Sequence, residues 1–281
     1  MGADNVTRRV LLTAGGLTLL GIYATDASRH AAPAGHPPGA HPTPTGLADA
    51  RTTAHRPAHR PRASGPHSAP AEQPQLTVAR HDGRGIDRMP LTSIDDGPMA
   101  IALTIDDGPS PVYTPQVLQL LARYRITATF SLIGIDAQAH PAVAREVAAA
   151  GHLIANHTWT HPDLQRLAPA LVNEQMSRAA EAIHAATGRV PDLFRAPYGA
   201  WSPFVLAQCA RTGMTPLGWS VDPRDWSRPG VPSIVTNIMR NTHTGSIILE
   251  HDGGGDRSQT VAALKIVIPR LLAAGYHFRT P

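Results

Sequence analysis

Hydrophobic and polar positions along the chain fall into two regimes, and the change comes near Asp82. Over residues 82–281, short apolar runs alternate with amphipathic stretches, the pattern of parallel strands joined by helices in one α/β domain. Residues 99–105 are apolar at six of seven positions and read as a buried strand, which ends in Asp106-Asp107-Gly108-Pro109. Thr114-Pro115 then starts a helix whose stripe is Val117, Leu120, Leu121 and Tyr124. Residues 128–133 read as a second strand, Pro141 opens a second helix closed by Gly151, and residues 152–156 form a third strand. Residues 167–187 make a long amphipathic helix stopped by Gly188, and Ser202-Pro203 begins another that ends at Gly213. Further strands are expected over 217–221, 246–249 and 276–279, with helices over 231–241 and about 258–274, the latter bent at Pro269. About seven strand–helix alternations predict a barrel short of a full eighth unit.

The other regime precedes the domain. Residues 1–27 read as a twin-arginine export signal: Arg8-Arg9 leads a largely apolar run that ends near Tyr23, short for a bilayer span. Cleavage is placed near Ala27, the alternative being an uncleaved anchor; no cysteine follows there to carry a lipid. Either way the rest of the chain is expected outside the cytoplasm. Residues 28–81 are rich in Pro, Ala, His and Arg without apolar periodicity, so they cannot offset their ordering entropy and read as a disordered linker. Arg29, Arg51, Arg56, Arg60, Arg62 and Arg80 against Asp49 and Glu72 leave +4 there, which equals the net charge of the whole chain. The linker could rest on anionic wall polymers or lipid headgroups, or be a plain spacer. His36, His41, His55, His59 and His67 lack ligand spacing and are assigned no metal. The single cysteine, Cys209, excludes an internal disulfide and any cysteine-based metal cluster.

Candidate chemistry sits at the predicted strand ends. Two adjacent carboxylates, Asp106 and Asp107, can reach one pocket where a strand opens into a loop. One could bind a cation while the other stays free as a base, although Asp-Asp-Gly-Pro is also ordinary turn chemistry. Further on, His157 and His161 are four residues apart, a spacing that in a helical turn places both imidazoles on one face. Two histidines and one Asp would leave a coordination position open for water, the pattern of a catalytic zinc. A zinc peptidase would need Glu where Thr158 stands, so the base must come from elsewhere, and Asp106 is the candidate.

Five segments in order carry a resemblance: residues 104–108 (Thr-Ile-Asp-Asp-Gly), 157–161 (His-Thr-Trp-Thr-His), 195–199 (Arg-Ala-Pro-Tyr-Gly), 222–226 (Asp-Pro-Arg-Asp-Trp) and 249–251 (Leu-Glu-His). Together they resemble the motifs of the polysaccharide deacetylases, carbohydrate esterase family four. The resemblance spans about residue 100 to the C-terminus, with Ile105 where the family more often has Phe. It implies a distorted (β/α) barrel of about seven parallel strands and one divalent metal ion, zinc before cobalt or nickel. It also implies removal of acetyl groups from N-acetylated glycans such as peptidoglycan or chitin, with acetylxylan esterase as the alternative. By motif, Asp107, His157 and His161 would hold the metal, and water activated there would attack the acetyl carbonyl. Asp106 would be the base, Arg195 its charged partner, and the Tyr198 backbone N–H an oxyanion donor. His251 would be the acid, kept protonated by Asp225, while Trp226, Leu249 and Pro197 would line the acetyl pocket.

A glycan-binding wall protein without catalysis is the rival reading, and it would lack a ligand, base or acid; none is missing here. The expected partner is an acetylated polysaccharide, met by a monomer, with no nucleic acid. Residues 93–98 repeat Asp-Asp-Gly-Pro upstream, but they follow a poor strand and precede no helix start, so this copy reads as a surface turn.

Overall fold

The computed structural model describes residues 89–281; the expected export signal (1–27) and linker (28–81) lie outside the described residues. The described chain forms a curled, all-parallel sheet with helices packed around it, a distorted (β/α) barrel. Its hub is β1 (Ala100–Gly108), where small and branched apolar residues leave almost no exposed atom. Strand β2 (Thr129–Leu132) pairs with residues 104–108 of β1, and β7 (His277–Arg279) pairs with residues 100–102. Strand β6 (Ile247–His251) pairs with residues 102–106 of β1. Beyond β2 the sheet continues through β3 (Leu153–Asn156), β4 (Leu193–Phe194) and β5 (Thr215–Pro216).

Alternation along β1 sorts the core into two layers. Ile101, Leu103 and Ile105 face the helix layer, packing in one cluster with Val117 and Leu121 of α1 (Thr114–Tyr124) and Leu264 and Ile268 of α7 (Ser258–Ala273). Ala102 joins Ala155, Leu193, Leu217 and Ile247 in a smaller cluster on the other face. Each large aliphatic residue of the helix-side layer contributes about 1.5–3 kcal/mol by burial, so Leu121→Ala would be felt globally. Helix α7 continues unbroken through Pro269. The remaining helices are α2 (Gly134–Ala139), α3 (Pro141–Ala149), α4 (Pro169–Thr187), α5 (Pro203–Thr212) and α6 (Val231–Asn241). No described helix is long and apolar enough to cross a membrane.

One expected strand is absent. Residues 217–221 are not a strand: Leu217 N–H bonds the Phe194 carbonyl, whereas Val221 pairs with β6 through Ile247 and Leu249. The segment therefore passes from one edge of the sheet to the other and closes the barrel instead of lengthening a ladder. Strand β4, two residues long, and the six-residue α2 were not anticipated, because neither is long enough to show a period. The upstream Asp-Asp-Gly-Pro is the exposed turn expected of it, with Asp96 paired to Arg279 at 2.8 Å.

Candidate active site at the C-terminal rim of the sheet

The two carboxylates converge because β1 bulges. Its register against β2 shifts between Asp106 and Gly108, and Asp107 adopts a left-handed φ of 70°. A regular strand would send neighbouring side chains to opposite faces; the bulge turns both towards one pocket. A non-glycine residue in this region is strained, and Thr158 (φ 68°), His161 (φ 59°) and Tyr198 (φ 59°) share that strain around the same pocket.

Asp107 Oδ1 lies 3.5 Å from His157 Nε2 and 3.3 Å from His161 Nε2, and it is buried without a hydrogen-bond partner. Ligand atoms from Asp107, His157 and His161 all fall within 4.8 Å of one another. The helical turn expected between the histidines is absent. Thr158 and His161 instead take left-handed conformations in an irregular bend, and the rings meet edge to face at 4.8 Å. The Thr158 hydroxyl accepts the His161 N–H at 3.0 Å, which holds that bend. His157 Nδ1 lies 2.8 Å from the Arg195 carbonyl, an acceptor only, so Nδ1 carries a proton and Nε2 is the nitrogen turned towards Asp107. Burial raises the Asp107 carboxyl, but the interaction with nearby His157, then the charges of His251 and His161, outweigh it and hold the group at about 2. Burial and then the His157 charge push His161 below its ordinary value, which favours the neutral imidazole a metal needs. An unpartnered carboxylate oxygen facing two imidazole Nε2 atoms is a donor set that fits a divalent cation.

Arg195 follows β4 and is fully buried in the barrel. Nη1 donates to Asp106 Oδ1 at 2.7 Å and to Thr104 Oγ1 at 2.8 Å. Nε donates to the Leu217 carbonyl and Nη2 to the Gly218 carbonyl. With Oδ1 occupied, Asp106 Oδ2 is left facing the pocket, 3.7 Å from His157 Nε2. Asp106 and His251 are register partners on β1 and β6, so their side chains project from the same face of adjacent strands.

His251 Nδ1 lies 2.7 Å from Asp225 Oδ1, while Asp225 Oδ2 accepts the His251 backbone N–H at 2.9 Å and the Thr260 hydroxyl at 2.6 Å. Burial alone would lower the imidazole pKa. The Asp225 hydrogen bond and charge, with those of Asp106 and Asp107, reverse this and raise it. Asp225 itself is held below its ordinary value by the His251 hydrogen bond and charge, against burial.

The remaining predicted residues lie around this centre. Leu249 and Pro197 are buried, whereas Trp226 is 45% exposed with Arg224 stacked 5.1 Å from its ring. Trp226 is therefore a rim residue, not a core one. The Tyr198 ring is exposed and meets His161 edge on at 4.7 Å. Thr104, Thr260, Glu250, Asp252 and Arg257 were not singled out from the sequence. Thr104 had a signal, as the one polar position in the apolar run 99–105. Glu250 and Asp252 are fully buried with both carboxylate oxygens unpartnered. Burial, then the nearby Asp225 charge, pushes Glu250 well above its ordinary value. Burial, then the Asp107 and Asp106 charges, carries Asp252 to about 7. Cys209 is buried and its thiol is pushed up to about 12, so it is no nucleophile.

A parallel barrel with paired carboxylates, two histidines and a carboxylate-bound histidine at its C-terminal rim has the layout of a hydrolytic centre. Comparison with known proteins names the class. Residues 93–217 match the family described as polysaccharide deacetylase. A chitooligosaccharide deacetylase of Bradyrhizobium is 44% identical over 192 residues, covering 64% of this chain and 88% of that protein. A peptidoglycan-N-acetylglucosamine deacetylase of Bacillus cereus is 42% identical over 182 residues, covering 64% of this chain and 85% of that protein. The crystal structure of the peptidoglycan N-acetylglucosamine deacetylase Bc1960 superposes with a TM-score of 0.65 at 33% identity, covering 67% of this chain and 89% of that one. The chain belongs to the polysaccharide deacetylase family, and it is a hydrolase acting on carbon–nitrogen bonds other than peptide bonds.

Proposed function

We propose that the chain removes acetyl groups from N-acetylglucosamine units of peptidoglycan or chitin-type glycans, with a divalent ion, zinc first, held by Asp107, His157 and His161. One observation carries the reading: the β1 bulge gives each of two adjacent carboxylates its own partners, Arg195 for Asp106 and the two histidines for Asp107. When bound, the ion would polarise the acetyl carbonyl and lower the pKa of water beside it. Asp106, fixed through Oδ1, takes the proton of the attacking water on Oδ2. The Tyr198 backbone N–H supports the oxyanion. His251, protonated and oriented by Asp225, delivers a proton from Nε2 to the departing glucosamine nitrogen as the C–N bond breaks, leaving acetate and a free amine. Leu249, Pro197 and Trp226 bound the acetyl pocket.

The substrate class rests on the relatives' activities, and the route to it on the twin-arginine segment and basic linker, which would bring a monomer to the cell's own wall. Acetate release from peptidoglycan, chitin and acetylxylan, assayed in parallel, tests this. Release from either N-acetylated polymer exceeding that from acetylxylan is expected. Release from acetylxylan alone would replace the reading with an O-acetyl esterase.

A further inference from the structure

The run Gly253-Gly254-Gly255-Asp256-Arg257 between β6 and α7 lies against the bulge that carries Asp107. A Cβ on Gly253 would sit 1.8 Å from the Asp107 carbonyl oxygen, so the loop backbone packs directly on that residue. A Cβ on Gly254, whose φ is +69°, would sit 2.9 Å from Asp107 Oδ2 and 3.2 Å from Arg257 Nη2. Arg257 closes the arrangement. Its side chain is 6% exposed; Nε donates to the Gly253 carbonyl, Nη1 donates to the Trp226 carbonyl at 3.2 Å, and Nη2 lies 3.7 Å from Asp107 Oδ2. The two oxygens of Asp107 are thereby divided, with Oδ1 facing His157 and His161 and Oδ2 facing the guanidinium.

We infer that Arg257 is a positioning residue that holds Asp107 Oδ2, so that Oδ1 is presented to the metal, and ties the Trp226 rim to the same carboxylate. The inference rests on the metal centre proposed above. Its chemistry follows from the guanidinium fork: one arm carries charge to a carboxylate while the others satisfy two loop carbonyls, a division a lysine ammonium cannot copy. Outer partners of this kind fix the orientation of a ligand, and their loss typically costs about 10–100-fold in metal affinity.

The test is the zinc dissociation constant of the full chain, measured by chelator competition, beside thermal unfolding of the metal-free protein. Arg257→Ala should bind zinc about 10–100-fold more weakly, and Arg257→Lys, which restores the charge without the fork, should fall between it and the parent. A residue that merely braces the fold would lower the melting temperature and leave zinc affinity unchanged, and that result would overturn the inference. Should Arg257→Ala fail to fold, Gly254→Ala probes the same contact, since its methyl would intrude between Asp107 Oδ2 and the guanidinium. Weakened zinc binding supports the inference and parental affinity refutes it. His161→Ala separates the two levels. If it keeps the parental zinc affinity, the metal centre itself is misplaced; if it loses zinc while Arg257→Ala does not, only the role of Arg257 falls.

Discussion

Replacing Asp225 by Asn removes the charge behind His251 while keeping the shape. The carboxylate accepts three hydrogen bonds, from His251 Nδ1 on Oδ1 and from the His251 backbone N–H and the Thr260 hydroxyl on Oδ2. An amide has one acceptor oxygen. Placed at the Oδ2 position it still serves the backbone N–H and Thr260, but its NH₂ then faces His251 Nδ1, which must become the acceptor. His251 is thereby forced into the neutral tautomer with its proton on Nε2. A hydrogen bond to a charged group contributes about 1.5–3 kcal/mol, so its loss should bring the raised His251 pKa down towards its ordinary value. The sign follows from linkage. Because the folded pKa lies above the ordinary 6.5, the parent pair stabilises the fold fully below that value and loses the contribution as pH rises through the raised pKa. Asp225→Asn should flatten that limb, and kcat should drop by about 10²–10⁴, the range for losing a general acid. NMR titration of the imidazole and a pH–rate profile read both effects. A His251 pKa unmoved by the substitution would refute the assignment of its charge to Asp225.

Three other outcomes follow from particular residues. Arg195→Met leaves Asp106 buried and unpaired, so chemical unfolding should show a loss of about 3–5 kcal/mol, part of it recovered when Asp106→Asn is added; full additivity would deny the coupling. His152 is 3% exposed, accepts the Ala128 N–H on Nδ1, and is lowered by burial to about 4. Its contribution is present above 6.5 and lost as pH falls towards 4, about 3 kcal/mol in all, so His152→Gln should unfold with a flatter acid limb and a pH dependence equal to the parent's would count against it. Arg8→Lys with Arg9→Lys should hold the protein in the cytoplasm on cell fractionation, whereas unchanged secretion would point to the general secretory route.

Much of the barrel was legible because buried strands and amphipathic helices leave periods long enough to read. Helix α6 lies where its apolar stripe places it, over Val231–Asn241, and β1 where its apolar run does. What escaped is what lacks a period or depends on tertiary closure. Strand β4 has two residues, and residues 217–221 are apolar because they bridge the sheet's two edges, not because they form a ladder. At the site, side-chain types at motif spacing pointed to Asp106, Asp107, His157 and His161 together, while the means of convergence did not follow. The pair of histidines uses left-handed residues rather than a helical turn, and the carboxylates use a bulge. Arg257 and Asp252 were hidden because a glycine-rich loop reads as a turn until its contact with Asp107 is known.

Hydrolysis should depend on a metal held by Asp107, His157 and His161, with Asp106 as the base. The measurement that meets it directly is acetate release from an N-acetylglucosamine polymer by the chelator-stripped protein, before and after zinc is returned, for the parent, Asp106→Asn and His161→Ala. The account predicts no release from stripped parent and recovery with zinc. It also predicts zinc bound without turnover in Asp106→Asn, and neither zinc nor turnover in His161→Ala. Full release by the stripped parent, or parental turnover in Asp106→Asn, would contradict it.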